Sequence, residues 1–320
     1  MQQRQETEIN DIPPGPFYDD LTTTKAAIIE NAKDAGELYL AGQPYELYSF
    51  RNHEAWRGLA KRQSELWPKY ACREFLAGVD TLRIDHDHVP RLEDINELLS
   101  TASGFVTRPV SGYIPSFYFF QSLSQQEFPC TITVRDLNSL DYLPEPDMFH
   151  DIHGHVPMFA DPEFASFLQR FGKVAVAARD FVLDIPDVDE RIRTLNSILR
   201  ALARFFWFTI EFGLIRENGV LKAYGGGLLS SAGELVHAID SPAVRKYPFQ
   251  LDWVINQGFD YTIYQPVLFW IESLSQLAQF VTELEIMIAA GRLSNVAPGE
   301  PATSSDDLKS FLDSRVMPVA

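Results

Sequence analysis

The chain has 320 residues, 46% hydrophobic and 22% charged, with 27 Lys and Arg against 44 Asp and Glu for a formal net charge of −17. That length supplies a sizeable core for one large domain or two small ones, and 12% aromatic residues exclude a disordered acidic polymer. The acidic balance argues against nucleic-acid partners and anionic membrane surfaces, both of which reward basic patches. Two cysteines, Cys72 and Cys130, cannot build a disulfide framework or a thiolate metal site. The amino terminus lacks the apolar core of a signal peptide, and the apolar stretch 203–215 is interrupted by Arg204 and Glu211. A reduced, soluble, cytoplasmic protein is expected.

In chain order, residues 1–21 are polar, contain Pro13, Pro14 and Pro16, and read as a flexible leader. Helical text begins at Thr22, with Ala26-Ala27-Ile28-Ile29, and a long stretch follows over residues 53–75, where Trp56, Leu59, Leu66 and Tyr70 suit one face. Pro68 is expected to kink or split that helix. Residues 93–103 predict another helix, with Ile95, Leu98 and Leu99 at helical spacing. Residues 105–143 mix Gly, Pro and aromatics with β-prone runs such as Ile132-Thr133-Val134, so long helices are not expected there. Helices are predicted again over 162–178, 190–212 and 267–290. Residues 291–320 read as a mobile tail carrying one short helix over 306–312. The fold class is mainly α with minor β, in one domain over 22–290.

Residues 144–157 read Pro-Glu-Pro-Asp-Met-Phe-His-Asp-Ile-His-Gly-His-Val-Pro. Three of the seven histidines fall within six residues here, which raises a metal hypothesis. His150 and His155 are five apart, about 140° around an ideal helix at 3.6 residues per turn. They converge only if the helix ends between them; Gly154 is placed to end it and Pro157 to prevent its resumption. His153 is then left over. A third ligand is available in Glu211, flanked by Thr209-Ile210 and Phe212, because a carboxylate among apolar residues needs a partner or a metal. A salt bridge from Glu211 to Arg204 or Arg216 is the alternative. Two imidazoles and one carboxylate suit Fe(II) with open positions, and zinc hydrolases use the same set.

Beyond the ligands, residues 144–157 resemble the iron-binding signature of the pterin-dependent aromatic amino acid hydroxylases. Residues 207–213 and Lys222-Ala223-Tyr224-Gly225-Gly226-Gly227-Leu228-Leu229-Ser230-Ser231 resemble a second signature. Gly104-Phe105, Arg108-Pro109-Val110-Ser111-Gly112 and Gln265-Pro266 extend the similarity, in collinear order, over roughly residues 55–285. The resemblance implies a mostly helical catalytic domain that uses Fe(II), a tetrahydropterin such as tetrahydrobiopterin and O2 to hydroxylate Phe, Tyr or Trp. It implies that His150, His155 and Glu211 hold iron, and that Phe119, Asp151, Tyr113 and Ile114 contact the pterin. It further implies that Arg135 takes the substrate carboxylate, a pairing an arginine fork suits. Phe128, Pro146 and Trp207 match the walls around the substrate ring, and Ser230 a hydroxyl that supports the site.

The sequence departs from the family pattern at several places. Leu143 stands where animal members have a threonine, and Tyr261 where a small aliphatic residue borders the ring. Pro129 replaces a histidine, and His153 sits where an apolar residue is usual. Tyr113 resembles the tryptophan-hydroxylating branch, whereas Trp207 resembles the phenylalanine and tyrosine branches. The expected substrate is L-phenylalanine, hydroxylated to tyrosine or meta-tyrosine. A tryptophan hydroxylase of the same family, a zinc hydrolase on the same ligands, and a catalytically inactive acidic binding protein are the alternatives. Short ends predict a monomer or weak dimer, which sedimentation would check.

Overall fold

The computed structural model describes residues 21–22, 26–112, 114–138, 140 and 146–299. Expectations for Tyr113, Leu143, the first 20 residues and the helix over 306–312 lie outside these. Side-chain caps start the main helices by satisfying first-turn N–H groups. After α1 (Ala27–Asp34), Ser49 opens α2 (Phe50–Ser64) through a reciprocal box with Asn52. The expected split follows: Pro68 sits in the first turn of α3 (Trp67–Tyr70), where its missing N–H costs nothing. Then come α4 (Arg73–Leu82) and α5 (Leu92–Ser103), the latter ended by left-handed Gly104 with φ 84°.

The segment over 105–143 is more regular than expected. Strands β1 (Val106–Pro109) and β2 (Glu127–Cys130) pair in parallel, and between them lies α6 (Ser116–Ser124). Phe117, Phe120 and Leu123 of α6 are buried at helical spacing. Close contact with α8 (Pro162–Leu183) requires Gly172, where a Cβ would lie 2.3 Å from the Ser124 nitrogen. Ile132-Thr133-Val134 forms no ladder. Its backbone instead bonds Leu21 (Val134 N–H to Leu21 O, 2.8 Å) and Met148 (Met148 N–H to Thr133 O, 2.7 Å). Leu21 is fully buried, so the leader joins the core one residue early.

A π-helical turn spans His150–His155 and runs into α7 (Val156–Phe159). Asp161 caps α8 and Asp187 caps α9 (Val188–Phe206); Phe171 and Phe205 stack between them at 5.5 Å. A second π-turn, Trp207–Glu211, extends α9. Strands β3 (Leu214–Glu217) and β4 (Val220–Ala223) follow, joined by Asn218 and Gly219 at φ 51° and 83°, as a tight hairpin demands. Next are α10 (Gly226–Leu229), α11 (Ala232–Asp240), β5 (Arg245–Pro248), α12 (Leu251–Val254), β6 (Val267–Ile271) and α13 (Ser275–Ala289). The sheet order is β4-β3-β6-β5, with β6 parallel to both neighbours.

The expected helix over 267–290 is thus a buried strand followed by a helix. An unbroken run, Val-Leu-Phe-Trp-Ile, fits a strand covered on both faces as well as a buried helix. The core also outlasts residue 290: Leu293 and Val296 are buried, and Arg204 donates to the Ala297 carbonyl at 3.0 Å. Among the described residues no helix is long and apolar enough to cross a membrane.

Candidate metal centre and aromatic cavity

Asp147 opens the histidine-bearing turn, its Oδ1 accepting the His150 N–H at 3.0 Å. The backbone then widens into the π-turn rather than ending. With i→i+5 bonding, residues five apart stack, so His150 and His155 meet across one face with Nε2 atoms 3.2 Å apart. The helix end expected at Gly154 and the stop at Pro157 are both wrong. Gly154 is not left-handed, and Pro157 lies in the first turn of α7. Glycine is required at 154 for space instead: a Cβ would come within 2.6 Å of the Gly226 carbonyl oxygen. At Gly226 itself, a Cβ would strike the His155 ring at 2.5 Å. These two glycines let α10 lie directly on the π-turn.

The second π-turn delivers Glu211. Its Oε1 is 3.3 Å from His155 Nε2, and its Oε2 is 3.6 Å from His150 Nε2. The alternative arginine partners are engaged elsewhere: Arg204 donates to the carbonyls of Ile255 and Ala297, and Arg216 Nε to Glu272 at 3.1 Å. One nitrogen or oxygen from each of His150, His155 and Glu211 falls within 4.8 Å of the others, a spacing that suits one metal ion.

Hydrogen bonding fixes the tautomer of His150. Ser230 Oγ donates to the Gly226 carbonyl at 2.8 Å, so it accepts from His150 Nδ1–H at 2.9 Å, leaving Nε2 unprotonated toward the cluster. Burial, only partly offset by Glu211, lowers the His150 pKa to about 4, which keeps the ring neutral and able to ligate. Burial also acts against charged His155, but the adjacent Glu211 carboxylate outweighs it and raises the pKa. For Glu211 burial pushes upward, and the two imidazoles pull the carboxyl below its usual range.

A cavity of ≈ 320 Å³ opens onto Glu211. Asp151, Phe119, Ile114, Pro146 and Trp207 line it, as do Pro129, Phe206 and Phe259. Asp151 accepts from the Thr131 N–H (2.7 Å) and hydroxyl (2.9 Å), yet burial raises its carboxyl to about 7. Phe119 stands edge-on to Phe128 and Phe206. Phe128 backs the wall from β2, its ring 5.4 Å from that of His155. Arg135 lies in a smaller cavity of ≈ 30 Å³ beside Ser230, about the size of one water. Its Nε and Nη2 each donate to Asp147 at 2.8 Å, and the guanidinium outweighs burial to hold that carboxyl low.

Tyr261 is not part of this assembly. It is 52% exposed and lines a separate surface groove of ≈ 590 Å³ that shares Phe259 with the cavity. The expectation that it borders the substrate ring is not met. His153 is fully buried away from the cluster. Sequence reasoning missed Asp147, whose i to i+3 cap on His150 was a readable signal. It also missed Phe259, which lines the cavity, Gln265, which bonds the Trp207 indole, and Glu234, which bonds Gln265; these contacts are long-range and leave no local signal.

The sequence matches the family described as biopterin-dependent aromatic amino acid hydroxylase over residues 6–290. It is 34% identical over 301 residues to phenylalanine-4-hydroxylase of Chromobacterium violaceum, covering 92% of this chain and 95% of that protein. It is 38% identical to tyrosine 3-monooxygenase of Rattus norvegicus over 237 residues, which cover 72% of this chain and 44% of that one. The solved structure of the Chromobacterium violaceum enzyme with bound oxidised Fe(III) superposes with a TM-score of 0.73 at 33% identity, over 86% of this chain and 97% of that one. The chain therefore belongs to the biopterin-dependent aromatic amino acid hydroxylase family.

Proposed function

We propose that this protein is a non-heme Fe(II), tetrahydropterin- and O2-dependent monooxygenase that hydroxylates L-phenylalanine to tyrosine or meta-tyrosine. One observation carries the reading: a His-His-Glu cluster that opens directly into an aromatic cavity. The donor set fits iron, since a neutral imidazole, a second imidazole and a low-pKa carboxylate converge from two π-turns and leave the cavity side open. Iron and pterin, when bound, supply the activation of O2 that no side chain offers.

In this reading His150, His155 and Glu211 hold the metal, and Ser230 fixes the orientation of His150. Phe119 presents a face for the pterin ring, with Ile114 beside it. Asp151, raised to about 7, is a group able to donate as well as accept toward the heterocycle. Trp207, Pro146 and Phe128 enclose the substrate ring and exclude water. Arg135, held by Asp147, takes the amino-acid carboxylate from the Ser230 side. Phenylalanine is favoured because several relatives of which 90–95% of the length is matched are phenylalanine-4-hydroxylases.

The test is anaerobic loading with Fe(II), then O2 uptake and tetrahydrobiopterin oxidation with Phe, Tyr and Trp, the product's ring position being assigned by NMR. The highest kcat/KM is expected for Phe, with one pterin oxidised per product. Turnover of Trp but not Phe would overturn the substrate, and absence of coupled O2 uptake with all three would overturn the reaction.

A further inference from the structure

We infer that Gln265 is a positioning residue for the aromatic wall of the cavity, and that the wall's second ring, Phe259, sets which substrate ring is admitted. This rests on the hydroxylase reading above. Gln265 is 3% exposed, and its side-chain amide is committed on both ends. Oε1 accepts the Trp207 indole N–H at 3.1 Å, while Nε2 donates to the carbonyls of Asp260 (2.8 Å) and Ile263 (2.9 Å). The amide has only this orientation, because an indole needs an acceptor and two carbonyls need a donor. From behind, Glu234 Oε1 accepts the Gln265 backbone N–H at 3.0 Å.

One side chain thus ties the cavity wall to the loop over 258–264. At the start of that loop Phe259 lies flat on Trp207, ring centroids 4.1 Å apart and planes 8° from parallel. Phe212 packs on the same indole at 4.4 Å. With its N–H held and its face covered, the indole cannot turn, and the edge it offers the cavity is constant. Phe259 lines the cavity of ≈ 320 Å³ and also the outer groove of ≈ 590 Å³, so its ring is the partition between them. The width available to a substrate ring is set by Phe259, and Phe259 is set by Gln265.

Three substitutions separate the parts. Phe259→Ala removes the partition and is expected to shift relative kcat/KM toward Trp over Phe by about tenfold, the scale on which pocket size discriminates. Gln265→Met keeps the length and loses every side-chain hydrogen bond, and is expected to raise KM for Phe about tenfold with a smaller change in kcat. Gln265→Glu keeps an acceptor for the indole and loses the donors to the loop, so it restores the wall but not the loop.

A readout independent of turnover is the Trp207 indole N–H in a 15N spectrum of the metal-free protein, identified among five tryptophans by its loss in Trp207→Phe. It is expected to be protected from hydrogen exchange in the wild type and in Gln265→Glu, and unprotected in Gln265→Met. A protected indole in Gln265→Met overturns the proposal. So does an unchanged Phe-to-Trp ratio in Phe259→Ala, which would reduce the loop to a structural support. If the wild-type protein hydroxylates none of the three amino acids, the hydroxylase reading fails, while the indole resonance still decides the role of Gln265.

Discussion

His155 and His153 stand two residues apart on one π-turn and occupy opposite kinds of surroundings. His155 Nε2 has the Glu211 carboxylate at 3.3 Å and His150 Nε2 at 3.2 Å. His153 lies in an aromatic box, its ring 4.9 Å from Trp56 and from Phe149, 5.4 Å from Trp67 and 5.3 Å from His86. Neither His153 ring nitrogen has a hydrogen-bond partner among the described residues. Both histidines are buried, yet burial drives His153 far below the usual value, with His86 adding to it, while a facing carboxylate lifts His155. The carboxylates divide likewise. Glu211, beside two imidazoles, is held low, whereas Glu234 has one backbone N–H and burial raises it to about 7. What distinguishes a ligand site here is mutual compensation, with burial common to both regions.

The largest effect is expected on the compensated side. Glu211→Ala removes the one anion of the cluster, and coupled turnover should fall to background in an oxygen-electrode assay. Asp147→Ala comes next, because it strips a buried guanidinium of its bidentate partner. A loss of about 3–5 kcal/mol in unfolding free energy is expected by chemical denaturation. An unchanged stability would mean that Arg135 relies on other groups.

Smaller effects follow, and on the uncompensated side they carry the opposite sign. Glu234 titrates near 7 folded and near 4.5 otherwise, so between those values the folded state binds more protons and stability falls as pH rises. Between pH 5 and pH 8, the wild type should lose about 2.5 kcal/mol relative to Glu234→Gln. A flat difference would show that the carboxyl is solvated. Ser230→Ala frees the Nδ1 side of His150 and should weaken Fe(II) affinity roughly 10- to 100-fold in a metal titration. His153→Leu replaces two unsatisfied nitrogens by carbon, and a gain of about 1–2 kcal/mol in unfolding free energy is expected.

How much of this was legible follows from the kind of signal each residue carries. His150, His155 and Glu211 could be read because few residue types ligate metals and a carboxylate among apolar neighbours demands a partner. The way they converge could not, because a 3.6-residue period was assumed where two π-turns change the period itself. Helices with side-chain caps, such as those opened by Ser49, Asp161 and Asp187, start close to where their text begins, although α8 runs on to Leu183, past the expected end at 178. Val267–Ile271 did not, since an unbroken apolar run is silent about its period. Ile132 to Val134 looked like a strand, but its backbone is spent on Leu21 and Met148. Tyr261 and Phe259 are two residues apart in sequence, and only the loop's closure around Gln265 decides which of them reaches the cavity. Buried Leu293 and Val296 are two apolar residues in polar text, too few to mark the end of a core.

The contrast between the two histidines is tested most directly by iron stoichiometry. Purified wild type, His150→Ala, His155→Ala, Glu211→Ala and His153→Leu would be loaded anaerobically with Fe(II), desalted and assayed for iron. One iron per chain is expected in the wild type and in His153→Leu, with little retained by the other three. Iron lost from His153→Leu, or kept at full occupancy by Glu211→Ala, would contradict the assignment of the cluster.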